Sequence, residues 1–268
     1  MNKHNRTGTD FLQWALPELG YRWRGFRKPR AQVLQRIIER IHELELSGYK
    51  EYQTFLEHHP DEWKRLDQML YVTISRFYRD RKLWDELATN ILPRLVEGNA
   101  PELVVVWSAG CCNGEEPYSI AIAAHQSGML DKITIIASDR YPHLLERAKI
   151  GLYPESALRE LTPAERSRYF TYNDKLLEYR IDPVIRSSVH FEERNIRHSL
   201  ADDFFHIIFC RNLVFTYFNN TEQIQLLAGF RNSLFNDGYL ITGSKEQLPD
   251  EAGWIKPWAN VPVYRKAS

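Results

Sequence analysis

LVVVWSAGCCNGEEP (residues 103–117) opens on a short apolar, β-branched run without alternation, the pattern of a strand buried on both faces. Two glycines follow it, Gly110 and Gly114, where the chain must turn sharply into a helix and keep its backbone bare for a ligand to approach. Pro117 suits the first turn of that helix, where its missing N–H costs nothing. Strand, glycine turn and helix make the first half of a βαβ unit.

Working outward, similar apolar runs recur at 133–137, 189–192, 205–210 and 239–242, with helical periodicity between most of them at 116–125, 143–149 and 221–234. This alternation predicts an α/β fold with an open, largely parallel sheet covered by helices on both faces. The closing VPVYRK (261–266) reads as an antiparallel last strand. Residues 155–188 are too long for a plain connection and form an insertion, with a helix at Pro163–Tyr169 and a small β element around 176–185. Ahead of the sheet the texture is helical. In AQVLQRIIERIHELEL (31–46), Val33, Leu34, Ile37, Ile38, Ile41 and Leu44 recur at three- and four-residue steps, opposite Arg36, Glu39, Arg40 and Glu43. Further helices are expected at 49–57, 62–69 and 81–92, the last stopped near Pro93. The expected domains are therefore a helical one over 1–92 and a sheet domain over 93–268.

Composition excludes several classes. Lys+Arg and Asp+Glu are equal at 35 each, so no global field marks a nucleic-acid or membrane partner. No apolar run approaches the ~18 residues of a membrane span. The polar start MNKHNRTGTD lacks the apolar stretch of a secretory signal, which gives a cytoplasmic expectation. The cysteines, adjacent Cys111 and Cys112 and distant Cys210, form neither a disulfide framework nor a CxxC pair, so no metal is expected.

The second strand run ends in Ala137-Ser138-Asp139, an acid about 25 residues beyond the turn and placed to accept both hydroxyls of a ribose. The turn is not a Walker A loop and lacks the middle glycine of GxGxxG, which argues against a bound pyrophosphate. In place of a phosphate cradle stand Glu115 and Glu116. Two carboxylates there would repel a diphosphate and attract an ammonium or sulfonium, favouring S-adenosylmethionine over NAD. The alternative is that both simply favour the helix dipole.

With those pieces placed, the chain resembles the CheR-type protein-glutamate methyltransferases over nearly its whole length. The matching segments are ISRFYRD (74–80), VWSAGCCNGEEPYSIAI (106–122), ASDRYPHLLERAKIGLYP (137–154), LTPAERSRYF (161–170), IIFCRN (207–212) and GYLITGSKE (238–246). The resemblance implies a Rossmann-like class I methyltransferase sheet preceded by a small all-helical domain, with a small β-subdomain as the insertion. It implies S-adenosyl-L-methionine as cofactor and S-adenosyl-L-homocysteine as product. By likeness Glu116 would meet the methionine amino group and Asp139 the ribose, with Gly110 in the turn. Asn195 and Ile196 would flank the adenine, and Arg211 and Asn212 would line the pocket. Thr73, Ser75 and Arg79 would close over the site from the N-terminal domain, and Tyr217 would stand near the transferred methyl.

The chemistry this permits needs no general base, since a glutamate with a reference pKa of ~4.3 is already nucleophilic at neutral pH. Arg79 is the natural carboxylate clamp, its alternative being a surface arginine paired with Asp80 or Asp85. Tyr217 is a hydroxyl donor or a core residue. Two departures stand out. Four residues, Leu213 to Thr216, separate Asn212 from Tyr217 where the family usually has three, and in extended chain the extra one would reverse every later side chain. Lys245 occupies a place where the family commonly has serine.

Substrate recognition is read from Arg22, Arg24, Arg27, Lys28, Arg30, Arg36 and Arg40, interleaved with Trp23 and Phe26. In the resembling family a basic helix faces the acidic methylation helices of receptors; RNA and a solvated helix face are the alternatives. The insertion TYNDKLLEY (171–179) lacks the glycine loop associated with docking on a receptor's C-terminal pentapeptide. The leading function is methyl esterification of receptor glutamates. The rivals are a methyltransferase of the same scaffold acting on another protein or a small carboxylic acid, and a non-catalytic cofactor-binding signalling module.

Overall fold

The computed structural model describes residues 3–99, 102–198 and 204–267. The chain forms two compact units, one of Met1–Thr73 with Thr216–Gln223, the other of Ile74–Phe215 with Ile224–Ser268.

The first unit is helical: α1 (Lys3–Glu18), α2 (Trp23–Phe26), α3 (Arg30–Glu43), α4 (Tyr49–His58) and α5 (Pro60–Met69). The α3 stripe buries Val33, Leu34, Ile37 and Ile41 as its periodicity predicts. One charge cluster is drawn inside. Arg40 donates to both oxygens of Glu62 at 2.9 Å, and the Tyr52 hydroxyl donates to the same carboxylate at 2.9 Å. The returning segment is tied to α2: the Arg22 N–H donates to the Tyr217 carbonyl at 2.8 Å, and the Phe26 and Tyr217 rings meet edge to face.

The second unit begins earlier than the expected boundary at 92. After Thr73 the chain places Phe77, Leu83, Trp84, Leu87 and Ile91 in the same apolar core as the sheet. Helices α6 (Arg81–Glu86) and α7 (Leu92–Asn99) are joined by a π-helical turn over Leu87–Ile91. The helix therefore runs on through Pro93 instead of stopping there. The Leu92 N–H reaches back to the Leu87 carbonyl, and this wider turn shifts the ladder just where proline cannot donate.

The strands are β1 (Val104–Ala109), β2 (Ile133–Asp139), β3 (Leu152–Tyr153), β4 (Phe170–Asn173), β5 (Glu178–Ile181), β6 (Val189–Glu193), β7 (Phe205–Phe209), β8 (Leu234–Ile241), β9 (Trp254–Ile255) and β10 (Val263–Lys266). Seven of them form one sheet in the order β6-β2-β1-β7-β8-β10-β9. The first five of that order run parallel, and β10 pairs antiparallel to β8, as VPVYRK predicts. β7 is buried throughout and β1 nearly so, which explains their unbroken apolar runs. The remaining helices of this unit are α8 (Glu115–Gln126), α9 (Pro142–Ile150), α10 (Pro163–Tyr169), α11 (Pro183–Ser187), α12 (Val214–Tyr217) and α13 (Asn220–Asn232), the last two extending into the first unit's segment. α8 is apolar nearly all round and lies in the core.

The insertion contributes two strands that pair with β3, which precedes it, in a separate antiparallel sheet, β3-β5-β4. Its β element lies at 170–173 and 178–181. The stretch beyond it, expected as strand, is instead α11, started by Asp182, whose carboxylate accepts from the N–H groups of Val184 and Ile185.

Candidate active site

In the sheet unit, β1 and β2 run in register to Ala109 and Ser138, so the glycine turn and Asp139 emerge side by side at the sheet's carboxyl edge. The turn is left-handed at Gly110 (φ +79°), Cys112 (φ +56°) and Gly114 (φ +92°). The left-handed backbone favours glycine at Gly110, where a Cβ would also lie 2.3 Å from a Leu213 methyl group and displace that side chain. The Gly110 and Cys111 N–H groups donate to the Ser138 carbonyl at 2.8 and 2.9 Å, which locks the turn to β2.

Asp139 is buried. Its Oδ2 accepts from the Cys112 N–H at 2.9 Å and its Oδ1 from the Tyr141 N–H at 3.1 Å. Each oxygen keeps a lone pair for a further donor. Burial pushes its pKa up, against the pull of those two N–H groups. Beyond β6, the Arg194 N–H donates to the Asp139 carbonyl at 3.1 Å and Asn195 and Ile196 follow directly, Ile196 buried.

Glu116 lies at the start of α8. Its Oε1 accepts from the Ser108 hydroxyl at 2.8 Å and its Oε2 from Arg211 Nη1 at 3.2 Å. Burial raises its pKa, opposed by the Arg211 charge, the Ser108 hydroxyl and, further off, Arg79. Arg211, just past β7, is itself buried and donates through Nη2 to the Arg79 carbonyl at 2.8 Å and to Asp80 Oδ2 at 2.7 Å. Asn212 follows with φ +56°, its N–H donating to Glu246 Oε2 at 2.8 Å.

The 74–80 segment is pinned to this edge. The Phe77 N–H donates to the Ala157 carbonyl and the Tyr78 N–H to the Ser119 hydroxyl, both at 3.0 Å. Ser75 and Arg79 therefore belong to the sheet unit rather than to the helical one. Ser75 lies near enough to the Glu115 carboxyl to favour its ionised form, and the Arg79 guanidinium donates to the Ile74 carbonyl at 3.2 Å. Its expected rivals as partners are engaged elsewhere, Asp80 with Arg211 and Asp85 with Arg81. One unit thus brings Ser75, Arg79, Gly110, Glu116, Asp139, Asn195, Ile196, Arg211 and Asn212 together around the carboxyl ends of its strands. Thr73 and Tyr217 lie in the helical unit. Val214–Tyr217 is helical, so the extra residue before Tyr217 does not reverse side chains as it would in extended chain.

Sequence reading missed the inequality of the two glutamates. Glu115 is more deeply buried than Glu116 but, among the described residues, has no guanidinium bonded to it, and its Oε2 has no hydrogen-bond partner. Glu246 is a second residue that local sequence pattern does not single out. It is buried, and it accepts from the N–H groups of Asn212 and Gly243 at 2.8 and 2.6 Å, holding the ends of β7 and β8 together. The only signal for it was an acid closing a glycine-containing segment.

The donor set fits S-adenosylmethionine: an acid with spare lone pairs at the end of β2, a largely buried carboxylate at the amino end of α8, and a turn without a side chain at Gly110. Among the described residues no cluster of His, Cys, Asp and Glu is arranged to hold a metal ion. No helix among them is long and apolar enough to cross a membrane.

Comparison with known proteins agrees. Residues 73–261 match the family described as CheR methyltransferase, SAM binding domain. The chain is 33% identical over 244 residues to the chemotaxis protein methyltransferase of Listeria monocytogenes, covering 82% of this chain and 90% of that one. It is 32% identical over 230 residues to the chemotaxis protein methyltransferase of Escherichia coli, covering 82% and 77%.

Proposed function

Because this chain belongs to the CheR methyltransferase family and is an S-adenosylmethionine-dependent enzyme, we propose that it esterifies glutamate side chains of a chemoreceptor or related signalling protein. The observation that carries the acceptor is the likeness to chemotaxis protein methyltransferases over 82% of the chain.

S-adenosylmethionine, when bound, supplies an electrophilic methyl group on a sulfonium. Asp139 holds the ribose hydroxyls through its two spare lone pairs, Glu116 receives the methionine amino group, and Asn195 and Ile196 flank the adenine. Arg79 clamps the acceptor carboxylate in two-pronged geometry and keeps it ionised. That carboxylate is already the nucleophile, so the protein's contribution is alignment and exclusion of water, worth ~7–11 kcal/mol of barrier. The roles of Thr73 and Tyr217 rest on the family resemblance alone.

The acidic face of the acceptor would be met by exposed cations of α2 and the start of α3. Arg24, Arg27 and Lys28 are exposed and Arg30 half-exposed. Arg22, Arg36 and Arg40 are less free. Arg22 donates to the Thr216 carbonyl, Arg36 to the Tyr71 carbonyl, and Arg40 is paired with Glu62. The recognising set is accordingly Arg24, Arg27, Lys28 and Arg30, and the reaction belongs to the cytoplasmic side of a receptor.

The test is transfer from methyl-labelled cofactor to membranes carrying the cognate receptors. Base-labile label on receptor glutamates is the expected result. Tight cofactor binding with label only on another acceptor, or none, would overturn the proposed acceptor.

A further inference from the structure

Glu115 and Glu116 are neighbours in sequence, yet the fold treats them oppositely. Glu116 has a guanidinium and a hydroxyl on its two oxygens. Glu115 is 4% exposed, and no cation is bonded to it. Its own backbone N–H, Ser75 and Asn113 lie near enough to favour the ionised form, with Arg147 acting from further off. Two acceptor atoms two residues apart in sequence, Glu115 Oε2 and Asn113 Oδ1, are buried without a hydrogen-bond partner among the described residues. Unpaired buried acceptors are costly, and what both lack is a donor. A proton on the carboxyl supplies one.

The other groups facing Glu115 do not provide compensating charge at close range. Arg147 of α9 acts on it only at a distance, and Cys112 of the turn and Tyr153 of β3 would each be disfavoured as anions beside a second one. The amino end of α8 favours an anion, but burial outweighs it.

We propose that Glu115 works as a neutral carboxylic acid, a positioning residue whose proton, shared with Asn113 and Ser75, fixes the turn that carries the cofactor-binding groups, while Glu116 alone bears the negative charge. The consequences reach the cofactor through short paths. Asn113 is followed directly by the left-handed Gly114, its carbonyl accepts from the Tyr153 hydroxyl at 2.7 Å, and the preceding Cys112 N–H is the one bonded to Asp139. Ser75 leads directly into the segment that presents Arg79. Burial pushes the Glu115 pKa up to about 7, opposed by its own backbone N–H, Ser75, Arg147 and Asn113, so the proton is exchanged around neutrality.

Two measurements test this. Infrared titration of the unliganded protein should show a protonated-carboxyl C=O band at pH 6 that fades through neutrality and is missing from E115Q. Calorimetry with S-adenosylhomocysteine should show wild-type affinity falling up to tenfold per pH unit above neutrality. E115Q, a permanent neutral mimic, should bind within about threefold of the wild-type pH 6 value, with that pH dependence gone. E115D, which keeps a titratable group, should show a shifted band and serves if E115Q does not fold. Absence of the band, E115Q binding more than tenfold weaker at pH 6, or E115Q retaining the wild-type pH profile would each overturn the proposal. No product uptake by wild-type protein at any pH would instead defeat the cofactor reading, a separate outcome.

Discussion

Arg211 Nη1 donates to Glu116 Oε2 at 3.2 Å, joining the end of β7 to the start of α8 across 95 positions of sequence. The same guanidinium holds Asp80 and the Arg79 carbonyl, so one buried cation organises the proposed amino-group acid and the proposed acceptor clamp together. Arg211→Ala would leave Glu116 and Asp80 without it. Breaking a buried pair in this way typically costs about 3–5 kcal/mol. Chemical denaturation should show a loss of that order, with product affinity falling at least tenfold. Arg211→Lys should recover only part, since an ammonium cannot span three acceptors in a plane. Wild-type stability and affinity in Arg211→Ala would show that the contact is incidental.

Asp139→Ala should mainly weaken cofactor binding. Hydrogen bonds to a charged group are worth about 1.5–3 kcal/mol net, which corresponds to roughly a 10- to 100-fold loss of affinity. The Cys112 and Tyr141 N–H groups also lose their acceptor, so the turn itself loosens. Calorimetric titration with the homocysteine product measures the loss directly, and unchanged affinity would remove Asp139 from the site.

Much of this was legible before the fold was known, and the reasons are physical. β1 and β7 are buried on both faces, so their sequences are largely apolar and identify them without alternation. α10 is marked by Thr162, Pro163 and Glu165, a capping box that fixes its start. What was hidden depends on distant partners. Helical periodicity over 81–92, like that of the segments before it, puts the boundary near Pro93, whereas the segment's allegiance comes from Trp84 stacking on Phe209. β8 starts at Leu234, earlier than its apolar run, because Phe235-Asn-Asp-Gly looks like a turn; Asp237 is left-handed (φ +62°) and the register slips between Phe205 and Ile207. The unlike roles of Glu115 and Glu116 follow from Arg211, which no local pattern could supply. The basic stretch around α2 and α3 overstated its free charge, because Arg40 meets Glu62 from another helix.

Arg79→Ala should lower turnover with little change in cofactor affinity. A two-pronged clamp acts on the acceptor, and misplacing a reacting group by about 1 Å can cost on the order of 100-fold in rate. Initial rates on receptor membranes should fall by about that factor while product affinity stays within about threefold. Arg79→Lys should not restore the rate, because the paired geometry is lost with the guanidinium. Unchanged turnover in Arg79→Ala would rule out the clamp.

Acid should destabilise the sheet unit through Glu165, which sits at the amino end of α10 and takes Arg81 in two contacts of 2.7 and 2.8 Å. Burial works against its ionisation, but Arg81 with Thr162 and Gln126 outweighs burial and holds the pKa at about 2. The folded value lies below that of the unfolded chain, near 4.3, so the unfolded state binds more protons in between. The stabilisation is therefore complete above the unfolded value and disappears as pH falls from about 4.5 toward 2, amounting to roughly 3 kcal/mol. Glu165→Gln should lower stability at pH 7 by a comparable amount and flatten this part of the acid limb. Urea denaturation at closely spaced pH values would show it, and a Glu165→Gln curve parallel to wild type down to pH 2 would assign the acid sensitivity to other carboxylates.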